Sequence, residues 1–159
     1  VRDFVGQLIS SFETVLDQTY QQLAEYVVLR TKAVEHPPDR LRAVGDATIA
    51  FHREPPQLIG GLFQLWAIGG RDVASLLDRE RRIVVAARDA LVADLRAGIL
   101  YRVVKPCDPE RIVDLVLAVV DGVLVHHVLG IARPDGVIAE LADRVLEPLR
   151  APRKKRKKP

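Results

Sequence analysis

The stretch Asp108-Pro109-Glu110-Arg111-Ile112-Val113-Asp114-Leu115-Val116-Leu117-Ala118-Val119-Val120-Asp121-Gly122-Val123-Leu124-Val125, followed after Gly130–Pro134 by a second periodic run to Arg150, decides the fold. Asp108 is suited to cap free backbone N–H groups, and Pro109 suits a first helical position. The helix that follows is apolar on more than one face. A surface helix of a small monomer needs one apolar stripe, so this one is expected to be central or buried against a second chain. The run after Pro134-Asp135-Gly136 places Val137, Ile138, Leu141, Val145, Leu146 and Leu149 at helical spacing, with Glu140, Asp143, Arg144 and Glu147 between them. It has one apolar side to pair. Gly122 costs a helix interior about 1 kcal/mol relative to Ala, a cost that close approach of another helix at that point would offset. Together the two helices read as half of an intermolecular four-helix bundle, with Val119, Gly122, Val123 and His126 of the first and Val137, Ile138, Leu141, Val145, Leu146 and Leu149 of the second at the interface.

Working outward, 159 residues suffice for one domain with a sizeable core, and 48% hydrophobic with 28% charged residues is an ordinary globular composition. The single Cys107 excludes an intrachain disulfide framework and Cys-rich zinc sites, which suggests a reducing, cytoplasmic home. No signal peptide is visible, and Ile112–Ile131 is too interrupted by Asp114, Asp121, His126 and His127 to span a bilayer, so no membrane partner is expected. The chain begins with Val1 and contains no Met, as expected of a piece of a longer protein or of a non-standard start. Six positive charges sit in Arg153–Lys158; removing them from the total of +3 leaves the rest of the chain at −3. Such a run at 151–159 reads as a disordered, solvated tail that can hold a polyanion without reading sequence.

Earlier in the chain, Leu8, Ile9, Phe12, Val15, Leu16, Leu23 and Val27 recur every three or four residues and predict a helix that fades near Leu29–Ala33. His36-Pro37-Pro38-Asp39 stops it. Leu41, Val44, Thr48 and Phe51 predict the next helix, a short one follows from Pro56 through Leu58, Ile59, Leu62, Phe63 and Trp66, and a long one runs from Asp72 to Gly98, with the glycine as its stop. Ile99–Val104 reads as a connector without a strand partner. The class is all-α with about six helices.

Chemistry is thin. No phosphate-binding glycine loop, nucleophile elbow or metalloprotease signature occurs. His126 and His127 are adjacent on a helix and point about 100° apart, unfit for one metal ion. Asp114 and Asp121 lie two turns apart, too far for a carboxylate pair and better suited to a polar stripe. Neither an enzyme, a metal site nor a cofactor is expected.

The order of features resembles a known family. Val1-Arg2-Asp3-Phe4-Val5-Gly6-Gln7-Leu8 is similar to the Tyr-x-x-Phe-x-(Gly/Ser)-Lys segment at which the DNA-binding domain of TetR-family transcriptional regulators passes into its fourth helix, with Val for Tyr and Gln for Lys. Leu41-Arg42-Ala43-Val44 through Phe51-His52-Arg53-Glu54-Pro55-Pro56-Gln57-Leu58 resembles the fifth helix and its break. Leu95-Arg96-Ala97-Gly98-Ile99-Leu100-Tyr101-Arg102, then Asp108-Pro109, then Val119-Val120-Asp121-Gly122-Val123, resembles the run through the seventh and eighth helices.

The resemblance implies residues 1–7 as the remnant of a helix-turn-helix domain and 8–150 as a ligand-binding and dimerisation domain. It implies a homodimer, DNA contact only through a helix-turn-helix upstream of Val1, and a repressor answering to a small apolar ligand. The pocket would be lined by Phe12, Val15, Phe51, His52, Leu62, Phe63, Trp66, Val84, Ala87, Leu91, Tyr101 and Leu117. The alternative is a stand-alone helical module, without the DNA-binding head, that pairs with itself or with a full-length regulator.

Overall fold

In the computed structural model the described residues are 2–53, 71–131 and 133–152, and the backbone is helical almost throughout. Five α-helices are present among them: α1 (Arg2–Thr31), α2 (Pro37–His52), α3 (Arg71–Leu100), α4 (Pro109–Val128) and α5 (Pro134–Leu141), the last continued by a π-helical turn (Ala142–Leu146) and a short 3-10 turn (Glu147–Leu149). No strand occurs among the described residues, as the all-α reading requires. The short helix expected from Pro56 through Trp66 lies outside them.

Local sequence explains most helix ends. The Asp108 carboxylate accepts the Arg111 N–H at 3.1 Å, so the cap at α4 is made as its sequence predicts. At α2 the proline pair does more than stop the previous helix: Pro37 and Pro38 occupy the first turn, where a missing N–H costs nothing, and the helix therefore begins before Leu41. α1 is continuous from Arg2, so residues 2–7 belong to the same helix as Leu16 and Thr31.

Gly98 has a different role from the one its position suggests. The helix runs two residues beyond it to Leu100 and ends in a Schellman arrangement, with Arg102 N–H donating to the Ile99 carbonyl and Val103 N–H to that of Gly98. The left-handed residue that closes this motif, usually glycine, is Arg102 at φ 58°. Gly98 itself is needed for packing, because Val104 and Pro37 press onto its Cα face. Nor is the connector unpaired: Val104 and Arg150 form an antiparallel bridge, with Lys105 N–H donating to the Leu149 carbonyl at 2.7 Å and Ala151 N–H to that of Val103 at 3.1 Å. This pairing was hidden from strand patterning because it is one bridge long.

The core lies between α2, α3, α4 and the 134–149 run. Leu41 and Ile49 of α2 meet Val92 and Leu95 of α3, Val113, Val116, Val120, Val123 and Leu124 of α4, and Ile138, Leu141 and Leu146. Each fully buried Val or Leu contributes on the order of 1.5–3 kcal/mol relative to exposure. α2 and α4 come close at Gly45, where a Cβ would sit 3.3 Å from a Val120 methyl.

Ion pairs fasten the helices at their rims. Arg88 of α3 holds Asp114 of α4 through two hydrogen bonds of 2.5 and 2.9 Å, and Arg96 pairs with Glu110 further along, which sets the two helices antiparallel. Arg40 of α2 pairs with Asp94 of α3, and Arg53 at the end of α2 reaches Asp135 at the start of α5. These pairs are partly exposed and direct register more than they stabilise.

Candidate functional site

Among the described residues, two places stand out: the apolar outer face of α4 and α5, and an aromatic cluster where α1 meets α2.

On α4 the inward stripe of Val113, Val116, Val120 and Val123 leaves a second apolar stripe pointing away from the core. Leu115, Ala118, Val119, Gly122 and Leu129 follow it at helical spacing, with Leu115 and Leu129 exposed and Gly122 only partly covered. Among the described residues, no atom beyond its own stretch of helix comes within 4 Å of the place a Gly122 Cβ would occupy, so no other described element packs there. Beside it, Val119 of α4 and Val137, Leu141 and Val145 of the 134–149 run line a broad open groove of about 580 Å³. Arg133, Glu140 and Arg144 stand along the groove, with Arg144 donating to Glu140 one turn earlier.

Of the interface residues expected from sequence, Val119, Gly122, Val137 and Val145 therefore border open surface, and His126 is exposed on the same helix. Val123, Ile138 and Leu146 are buried in the chain's own core and back this face from behind; Leu141 is buried yet also borders the groove, and Leu149 packs against the core. The reason is geometric. A three-to-four periodicity marks every apolar position of a helix with two apolar stripes without saying which stripe is inward. Sequence reasoning passed over Leu115 and Leu129, whose place on the outer stripe shows only once the inner one is assigned.

The second cluster joins Tyr26 of α1 to Phe51 of α2, edge to face with centroids 5.4 Å apart, and Phe51 to the adjacent His52 ring at 5.3 Å. Arg30 lies over the Tyr26 ring, 3.4 Å from its centroid, a cation–π contact. The His52 Nδ1 is buried and has no hydrogen-bond partner among the described residues. Burial also lowers the His52 pKa, so the imidazole is held neutral with a polar atom to spare. Tyr26 is absent from the expected site because the apolar α1 stripe runs through Leu23 and Val27.

The other pocket candidates are spread out. Leu62, Phe63 and Trp66 lie outside the described residues, as does the Phe12 side chain. The Arg88–Asp114 pair brings Val84 and Leu117 within a turn of one contact, but Val84 is 44% exposed, Val15 is 47% exposed and Ala87 faces solvent, whereas Leu91 and Leu117 pack against the core. Tyr101, 75% exposed, sits near Gly98 and Pro37, at the opposite end of α2 from Phe51 and His52, about 20 Å away by helical rise.

Reactive groups are muted. Burial first, and then the neighbouring Asp108 charge, push the Cys107 thiol up, which keeps it protonated and a poor nucleophile. The hydrogen bonds from Arg88 hold the Asp114 carboxyl below its ordinary range. Asp121 moves the other way: the protein around it raises its carboxyl pKa even though the side chain reaches solvent. Among the described residues no three His, Cys, Asp or Glu side chains converge on a possible metal position, and no helix is long and apolar enough to cross a membrane.

No protein-family profile matches the sequence, and no curated protein matches it. Among solved structures the fold is similar to a protein with unknown function from Rhodococcus sp. RHA1, with a TM-score of 0.66 at 16% identity, covering 87% of this chain and 71% of that one. At that identity the likeness is one of fold.

Proposed function

We propose that this chain is the ligand-sensing and dimerising part of a TetR-like transcriptional regulator, a repressor whose DNA contact comes from a helix-turn-helix preceding these residues. The observation that carries the reading is the outer face of α4 and the 134–149 run: an apolar stripe and an open groove, left uncovered among the described residues, with Gly122 where another backbone can come close. A second copy suits it better than a small molecule. Small-molecule sites bury most of the ligand, whereas this groove is wide and open and follows the helix axes. A two-fold axis would also set both signs of charge, Glu140 against Arg133 and Arg144, across the contact.

Ligand would enter through the Tyr26–Phe51–His52 cluster, where aromatic rings supply apolar contact and the unpartnered His52 Nδ1 a hydrogen bond to a hydroxyl or carbonyl. It would act by preferring one arrangement of two subunits, which requires different affinity for the two states. The muted Cys107 and the absence, among the described residues, of three converging His, Cys, Asp or Glu side chains favour a binding module over an enzyme.

Light scattering over a dilution series tests the interface. The chain should remain dimeric to low micromolar concentration, and Val137→Asp, a change on the exposed groove wall, should shift it to monomer with its helicity intact. A monomer at every concentration, or a dimer indifferent to Val137→Asp, would remove this assignment.

A further inference from the structure

The run from Pro134 to Leu149 does not keep one helical pitch. Glu147 N–H donates to the Ala142 carbonyl, five residues back, so the turn Ala142–Leu146 holds one residue more than an α-helical turn. Single wide turns of this kind are rare, and they are frequent at functional sites. Both ends of the run are fastened. Asp135 pairs with Arg53 of α2, and the far end is held by the Val104–Arg150 bridge and by Lys105 N–H donating to the Leu149 carbonyl at 2.7 Å. Sliding either end to relieve the extra residue would break one of these contacts.

The wide turn decides which of two neighbouring apolar residues faces inward. Successive residues of an α-helix point about 100° apart, and residues four apart share a face. A regular helix through Ile138 and Leu141 would accordingly bring Val145 over the core and carry Leu146 past it. The structure has the reverse. Leu146, five residues after Leu141, joins it in the core, while Val145 is half-buried at the core's edge and lines the open groove with Arg144. Pro148 does not account for this by itself. It lacks an N–H, and its ring would strike the Arg144 carbonyl of a regular helix, but a helix meets that constraint simply by ending.

We propose that the Ala142–Leu146 turn is a one-residue insertion that gives Arg144 and Val145 to an interface with a second copy of this chain, while Leu146 keeps the core filled. The inference rests on the dimeric reading above and names the device that shapes its contact surface. The occupant is a second copy because the groove carries both signs of charge, Glu140 beside Arg133 and Arg144, and lies next to Gly122, where no other described element packs. A two-fold axis sets such a patch against itself. A partner of one charge sign would leave part of the groove facing a like charge.

Sedimentation velocity and thermal unfolding of the full chain and four variants test this. Deleting Val145, with Pro148→Ala so that a regular turn can close, should keep helicity and a melting temperature no lower than the parent's, because Leu146 then stands four residues after Leu141. The same variant should raise the dimer dissociation constant about tenfold or more. Deleting Glu140, where the helix is regular, should unfold the chain, since it puts Ile138 about 100° out of register with Leu141. Val145→Asp should fold and associate weakly; Leu146→Asp should not fold. Loss of folding in the Val145 deletion variant, or Val145→Asp unfolding while Leu146→Asp folds, overturns the inserted-residue assignment. A dimeric parent with a deletion variant that associates equally well overturns this inference and leaves the dimeric reading standing. A parent that is monomeric at every concentration overturns that reading, and this inference with it.

Discussion

Gly98 and Val104 are in contact so close that a Cβ on the glycine would lie 2.6 Å from a Val104 methyl and 2.9 Å from the Pro37 ring. Val104 is buried and pinned by the Arg150 bridge, and Pro37 is held in the first turn of α2, so neither neighbour can yield. Gly98→Ala should therefore destabilise the fold by about 1–3 kcal/mol, the usual range for overpacking. Urea unfolding with an unchanged slope would measure it; a loss below about 0.5 kcal/mol would mean that the junction relaxes.

The Asp108 cap makes a second, smaller prediction. Asp108→Ala removes the acceptor for the Arg111 N–H and should cost about 1 kcal/mol. Asp108→Asn keeps an acceptor and should cost less, so the difference between the two variants in chemical denaturation isolates the hydrogen bond.

Gly122 gives opposite signs for two measurements. It is mid-helix with open space around its Cα, so Gly122→Ala should stabilise a single chain by about 0.5–1 kcal/mol. The same change should weaken self-association if a second copy packs its backbone there. An unfolding transition at low concentration and a dimer constant from sedimentation read the two effects apart, and a rise in both would move the crossing away from Gly122.

His52 predicts a pH dependence. Its folded-state pKa is lowered by burial, so at neutral pH the imidazole is uncharged both folded and unfolded and contributes no slope. As pH falls through the unfolded value near 6.5, the unfolded chain takes up the proton first. Stability should therefore fall from about pH 7 downward and level off below the folded pKa. His52→Gln should flatten this portion of the melting-temperature profile relative to the parent, whatever it does to the absolute value; parallel profiles would show that His52 does not sense pH.

How much of this was open to reading in the sequence depended on how local the cause was. The Asp108 cap and the Gly130 break are written in neighbouring residues, and both are found, Gly130 at φ 69°. Periodicity along α2, α3 and α4 likewise located helices whose inward residues form the core. What escaped was non-local. Gly98 is explained by Pro37 and Val104, and the Val104–Arg150 bridge joins segments whose separation in sequence hides them from each other. The interface residues divided between core and surface for the same reason, since Val119 and Val123 look alike in one dimension and differ only in what stands beside them.

The 30 residues of α1 extend about 45 Å by the rise of an α-helix, yet among its described side chains only Leu16 and Thr31 are fully buried. A long rod packed chiefly against the shorter α2 is a lever. Pivoting it by about 5° near Thr31 would carry its first turn sideways by roughly 4 Å and the buried Leu16, half-way along, by roughly 2 Å. Tyr26, one turn before Thr31 and in contact with Phe51, sits close to that fulcrum. A sub-ångström change in the ring stacking near that fulcrum would be magnified several-fold at Arg2 wherever the packing around Leu16 follows the tilt.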